Sequence, residues 1–283
     1  MLVHSADGTV TIEPADVSDP QVSVLDLGVT RGDGIFESIG VVDGRAQAVE
    51  PHLARLARSA AMLDLPPLDL AVWRTAVARS IELAGPTEPG TELLVKLVYT
   101  RGIEDGDAPT GWVLCFDAGS YEPARSEGIA VITLDRGYRA DVAQTSPWLL
   151  QGAKTLSYAV NKAVLREAAR RGASDVIFVS SDGIVLEGPT STVIALIDGV
   201  YVTTPDEFGV LPGTTQQAFF ELVEQTGGST AYRAMTVDEL REATAVWLVS
   251  SGRQIAAVTR LDGEPLAHDP GFTADALTAL LAR

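Results

Sequence analysis

The sequence predicts an α+β protein with two sheet-containing lobes, and three observations predict it. Asp-Gly pairs at 43–44, 182–183 and 198–199 each sit between apolar runs, a signature of tight β-hairpins. Segments of helical periodicity interrupt these hairpins without a regular strand–helix–strand alternation, which argues against a Rossmann-type sheet. The 283 residues, 46% of them hydrophobic, are enough to bury two cores.

In chain order, "TVTI" (9–12) reads as a strand, and 35–44 with 45–50 as a hairpin turning at Asp43-Gly44. Leu53, Leu56, Ala60 and Leu63 recur at helical spacing after Pro51, which fits a first helical turn. A second helix spans 70–85 and stops at Gly85, and 91–102 and 110–119 read as buried strands. "SYEPARSEG" (120–128) is polar and contains proline. It reads as a linker between a smaller N-terminal lobe (1–119) and a larger C-terminal lobe (129–283).

The second lobe opens with the strand "IAVITLDRG". Most of 151–173 is expected to be an amphipathic helix, with Lys154 just before the helix gets going. A cation there faces the positive end of the helix dipole. That placement suits either a surface charge in a poor position or an amine meant to lose its proton. Hairpins then turn at Asp182-Gly183 and Asp198-Gly199. A helix begins at "TTQQAFF" and ends at Gly227, and two strands lie in "AVWLVSSGRQIAAVTRLDG".

Composition narrows the function. The net charge of −17 argues against binding a phosphate backbone, so no nucleic-acid partner is expected. No apolar run reaches 18 residues and the N-terminal stretch lacks a secretory pattern, so neither a membrane span nor export is expected. The single cysteine, Cys115, suits a reducing cytoplasm, and with three scattered histidines it offers no metal-ligand spacing. "RGDG" (31–34) reads as a tight turn beside a close-packed site rather than as an adhesion motif.

Several segments carry chemistry. In "GVLPGTTQQ", Thr214 and Thr215 stand at a helix start, where free N–H groups, hydroxyls and the dipole make an anion site. The commoner reading of such a pair is a Thr N-cap. Arg55 lies beside the apolar stripe of the first helix and by itself reads as a solvated or stem-packing arginine. Glu187, by itself, reads as a loop or edge-strand carboxylate. Together, a lysine with reason to be neutral, an anion-binding helix start, an arginine and a carboxylate are what a pyridoxal phosphate site requires.

In these segments the chain resembles the class IV aminotransferase family, the fold-type IV pyridoxal phosphate enzymes. "LGVTRGDGIFESIGVVDG", "HLARLARSAAML", "AKTLSYAVNKAVL", "DVIFVSSDGIVLEGPTSTV", "VLPGTTQQ" and "VWLVSSGRQIAAV" follow the family's order over roughly 20–265. The resemblance implies a two-lobed fold like that of branched-chain and D-amino acid aminotransferases, with pyridoxal 5'-phosphate between the lobes, and a homodimer. It makes Lys154 the Schiff-base and proton-transferring lysine, and Glu187 the partner of the pyridine nitrogen. It puts Arg55, Thr214, Thr215 and Ser251 on the phosphate, Leu211 against the ring, and Tyr158 on the phenolic oxygen. The Lys154–Tyr158 spacing is one residue shorter than in branched-chain aminotransferases.

"YTRGIEDGDAPTG" lacks the R-x-H carboxylate trap of D-amino acid aminotransferases. Lys96 falls near a family position that can meet a substrate carboxylate, and Arg253 is a second cation beside the phosphate loop. Each otherwise reads as a surface or strand-end charge. The overall wording looks most like actinobacterial-type 4-amino-4-deoxychorismate lyases. That implies cleavage of a dicarboxylate to 4-aminobenzoate and pyruvate, a step toward folate. The alternative is transamination of D-amino acids or branched-chain L-amino acids with 2-oxoglutarate.

Overall fold

The computed structural model describes residues 1–6, 9–88, 90–106 and 108–283. The chain divides into two compact units. One joins Met1–Ser120 with Ala153–Tyr158, and the other joins Tyr121–Gly152 with Ala159–Arg283.

In the first unit, strands β1 (Leu2–Ala6), β2 (Thr9–Glu13), β3 (Gly34–Val42), β4 (Arg45–Ala46), β5 (Leu93–Thr100) and β6 (Thr110–Asp117) form one antiparallel sheet. Its order is β2-β1-β6-β5-β3-β4. Helix α1 (Leu27–Thr30) is a single turn, and α2 (Val49–Met62) and α3 (Leu70–Ala84) pack on the sheet. The Asp43-Gly44 turn forms as expected, with both residues at positive φ. Its second strand is only two residues long, because α2 already begins at Val49. Alternation along β3 sends Ile35, Glu37 and Ile39 inward, where they are fully buried beside Leu53 and Leu56 of α2.

In the second unit, α4 (Glu122–Ser126), β7 (Ile129–Asp135), α5 (Val142–Thr145) and α6 (Ala159–Arg170) precede β8 (Asp175–Val179). The strands β9 (Thr192–Ile197) and β10 (Val200–Thr203) follow, then α7 (Thr214–Gln225), β11 (Ser229–Tyr232) and α8 (Val237–Glu242). Last come β12 (Ala245–Ser250), β13 (Gln254–Leu261), β14 (Glu264–Pro265) and α9 (Pro270–Leu281). The sheet runs β11-β10-β9-β12-β13-β7-β8, with β14 beside β13. It is parallel at β10/β11, β13/β7 and β7/β8 and antiparallel elsewhere. One of its faces carries Phe219, Trp247 and Tyr201 with Phe272 of α9, rings 5.2–5.9 Å apart.

Two expectations change. The stretch 120–128 is no simple linker: it contains α4, and Arg125 there donates to the carbonyls of Gly252 and Arg253 at 2.9 Å. The helix expected to start just after Lys154 begins only at Ala159. Residues 154–156 instead run antiparallel along the start of β3, with Phe36 N–H donating to Lys154 O (3.0 Å) and Leu156 N–H to Gly34 O (2.8 Å). The short β4 covers only Val41 and Val42, so the other end of that edge accepts this segment. Lys154 therefore belongs to the first unit, not to the C-terminal lobe, and it lies five residues before α6 begins. Among the described residues, no helix is long and apolar enough to cross a membrane.

Candidate active site

In the first unit the candidate residues gather around β3. Lys154 is fixed at both backbone ends: its N–H donates to Ser59 Oγ of α2 (3.1 Å) and its carbonyl accepts from Phe36. Its Nζ lies 4.6 Å from the centroid of the Phe36 ring and 6.0 Å from that of Tyr158. Tyr158 meets Phe36 edge-on at 5.0 Å. Lys96 pairs with Ser38 across β3 and β5, on the same face as Phe36, and its Nζ sits 5.7 Å from that ring. Two lysine side chains thus share one aromatic ring.

On the opposite face of β3, Arg55 is not a solvated arginine. It is buried and bidentate to Glu37, Nε to Oε1 at 2.7 Å and Nη2 to Oε2 at 2.8 Å. His52 Nδ1 meets the same carboxylate at 2.7 Å. Burial alone would raise the Glu37 carboxyl, but the Arg55 guanidinium and the two hydrogen bonds outweigh it and hold the group well below the usual carboxylate range. Burial also pushes His52 below its ordinary value, partly offset by Glu37. Sequence reasoning missed Glu37 as a site residue. The signal was present, since Glu37 is in phase with Ile35 and Ile39 on an inward strand face. Close approach explains the glycines beside it. A Cβ on Gly34 would come within 2.9 Å of Tyr99 O and 2.8 Å of Leu156, and Gly32 has φ +71 with Ser157 Oγ 2.9 Å from a Cβ position.

In the second unit, Glu187 is pinned against β8 by Phe178 N–H donating to its carbonyl (2.8 Å). Its side-chain Oε2 accepts from Leu211 N–H at 3.0 Å, so Glu187 and Leu211 are joined through the Leu211 backbone. Tyr138, which sequence reasoning passed over, is raised mainly by burial, with the negative charge of Glu187 adding to the shift. Its hydroxyl donates to Gln151 Oε1.

Helix α7 starts differently from the sequence expectation. Gly213 is the N-cap and gives no side-chain cap, so Thr214 and Thr215 occupy the first two helical positions. A Cβ on Gly213 would stand 2.4 Å from Thr192 Oγ1, a second reason for glycine there. Helices α3, α8 and α9 are all capped, by Asp69, Thr236 and Asp269. The N-terminus of α7 keeps its positive dipole end without a side-chain cap. Thr214 Oγ1 lies 3.4 Å from Ser251 Oγ, so these two hydroxyls face one another. Arg253 is not the open cation expected. Its side chain is 12% exposed and turned inward, with Nη2 in ionic contact with Asp175 at 2.9 Å.

Residues 34–261 match the model of the amino-transferase class IV family. The chain is 47% identical, over 89% of both sequences, to a bifunctional aminodeoxychorismate lyase / D-amino acid transaminase of Mycobacterium tuberculosis. It is also similar to the structure of a fold IV-transaminase from Curtobacterium pusillum, with 53% identity, a TM-score of 0.93, and 100% and 99% of the two chains covered. A hypothetical aminotransferase from M. tuberculosis in its pyridoxal phosphate-bound form gives 44% identity, a TM-score of 0.90 and 99% coverage of both chains.

Proposed function

The chain belongs to the class IV aminotransferase family, whose members work with pyridoxal 5'-phosphate, and from that premise we propose that it is a 4-amino-4-deoxychorismate lyase. The observation that carries the reading is the 47% identity to the bifunctional aminodeoxychorismate lyase / D-amino acid transaminase of Mycobacterium tuberculosis. Lys96 supports it: its Nζ, on the Phe36 ring that Lys154 shares, offers a cation to a carboxylate of a dicarboxylate substrate.

Each unit by itself offers groups whose chemistry suits the cofactor. Thr214, Thr215, Ser251 and the uncapped α7 N-terminus offer hydroxyl and N–H donors to a phosphate. Arg55 adds charge, with Glu37 fixing the plane of its guanidinium. Glu187 offers a carboxylate to a ring nitrogen, and Leu211 packs beside it. Tyr158 takes the phenolic oxygen, and Lys154 offers a primary amine.

When bound, the cofactor supplies an electron-poor ring that takes up charge as a bond at the amino-bearing carbon of the substrate breaks. Glu187, oriented by Leu211 N–H, holds the proton at the ring nitrogen. Lys154 removes the proton from the substrate carbon, its backbone held at both ends so that Nζ stays over Phe36. Lys96 holds a substrate carboxylate. In the lyase direction the enolpyruvyl group leaves as pyruvate and the remaining ring becomes aromatic 4-aminobenzoate. In transamination Lys154 instead returns a proton to the cofactor side. The bifunctional relative favours that second reading as an additional activity on D-amino acids.

The test is direct. Enzyme incubated with 4-amino-4-deoxychorismate is expected to release equal amounts of 4-aminobenzoate and pyruvate. Lys154→Ala should lose about 10²–10⁴-fold in rate, and borohydride reduction of the holoenzyme should label Lys154 in a peptide map. Transamination of D-alanine with 2-oxoglutarate and no 4-aminobenzoate would overturn the lyase reading. A label on any other lysine would overturn the assignment of Lys154.

A further inference from the structure

Behind the first turn of α7 runs a closed circuit of side chains. Gln254, the first residue of β13, is buried and has φ +63, a left-handed backbone that a non-glycine residue holds only under constraint. The constraint is visible at both ends of its amide. Nε2 donates to Ser251 O at 2.7 Å, and Oε1 accepts from Arg283 Nη2 at 3.2 Å. The same Arg283 nitrogen donates to Thr215 Oγ1 at 3.2 Å, and Nη1 points to Thr214 O at 3.4 Å. The contact of Thr214 Oγ1 with Ser251 Oγ at 3.4 Å completes the ring.

Charge points the same way. Burial lowers the Arg283 guanidinium to about 10, which leaves it a cation at neutral pH, and Glu221 opposes that shift. Its Nε is buried without a hydrogen-bond partner. A half-buried cation therefore stands beside the positive end of α7, which has no side-chain cap, a like-signed pairing that a bound dianion relieves.

We propose that Arg283 and Gln254 are positioning residues that set the affinity of the α7 site for the cofactor phosphate. They orient the Thr215 hydroxyl and the Ser251 turn from behind. This rests on the reading of α7 as the phosphate site, and the experiment tells failure of that reading from failure of the positioning role.

The experiment titrates the full-length apoprotein with pyridoxal 5'-phosphate and, in parallel, with pyridoxal, which lacks the phosphate. Arg283→Met is expected to weaken the phosphorylated ligand about tenfold, the loss of one charge-assisted hydrogen bond. Pyridoxal should shift less than about twofold on the same argument. Arg283→Lys should recover part of the loss. Arg283→Met with Thr215→Ala should cost less than the product of the single effects, because one acts through the other. Equal weakening of both ligands, or fully multiplicative effects, overturns the proposal. If Arg283→Met does not fold, Gln254→Leu cuts the same circuit and carries the same expectation. Thr215→Ala and Ser251→Ala separate the two readings. If they too leave the phosphorylated ligand unaffected, α7 is not the phosphate site. If they weaken it while Arg283→Met does not, only the positioning role falls.

Discussion

At the scale of single residues, the cluster of Glu37, Arg55 and His52 governs how the first unit responds to acid. Glu37 is held below its ordinary 4.5, so the unfolded chain takes up that proton first. The stabilisation is therefore whole above about pH 4.5 and is lost as pH falls through the folded-state value. His52 has the same sign from a higher pH. Burial holds it below its ordinary value in the native state, so the unfolded imidazole, which charges below about 6.5, takes up the proton first. Stability should decline from near pH 6.5 and more steeply below 4.5. Glu37→Gln leaves Arg55 buried without its counter-charge and is expected to cost about 3–5 kcal/mol at pH 7. It should also flatten the decline between pH 5 and 3. Urea unfolding at a series of pH values measures both, and a variant curve parallel to wild type would refute this account. Of the residues here, the sequence disclosed Arg55 by its helix pattern, but its partner Glu37, 18 positions away, is chosen by packing of α2 on β3.

At the scale of elements, the hairpins at Asp43-Gly44 and Asp198-Gly199 were the most legible feature, because such a turn specifies its own backbone, whereas the chain after Asp182-Gly183 returns to β8 only through the bridge Val179–Val185 and forms no second strand. The lysine segment was the least legible. "AKTLSYAVN" has helical periodicity, yet 154–156 pair with β3 because a strand edge there needs partners. Gly34 permits that pairing by letting Leu156 and Tyr99 O approach closely. Gly34→Ala should destabilise by about 1–3 kcal/mol. It should also lower kcat/KM by on the order of 10²-fold, because displacing the segment moves Lys154. Steady-state kinetics beside thermal melting checks this; a melting shift with kcat/KM intact would show that the segment does not set the lysine's position.

At the scale of the whole molecule, each unit buries an apolar core of its own, around Leu53, Leu56 and Trp73 in the first and around Val193, Val246 and Leu248 in the second. Two cores are expected to unfold as more than one cooperative step. Scanning calorimetry of the apoprotein should give a calorimetric enthalpy larger than the van't Hoff enthalpy; equality of the two would refute this. By itself the sequence determined the hairpins, the helices of the apolar stripes, and the inventory of lysine, arginine, carboxylate and hydroxyl groups, because propensity and periodicity act over a few residues. The tertiary structure alone decided that Lys154 packs with the first unit, that Arg253 turns inward to Asp175, and that Arg283 reaches back 68 positions to Thr215. The physical reason is range. A turn or helix is fixed by neighbours in the chain, whereas the partner of a buried charge is whichever group the packed core brings to it.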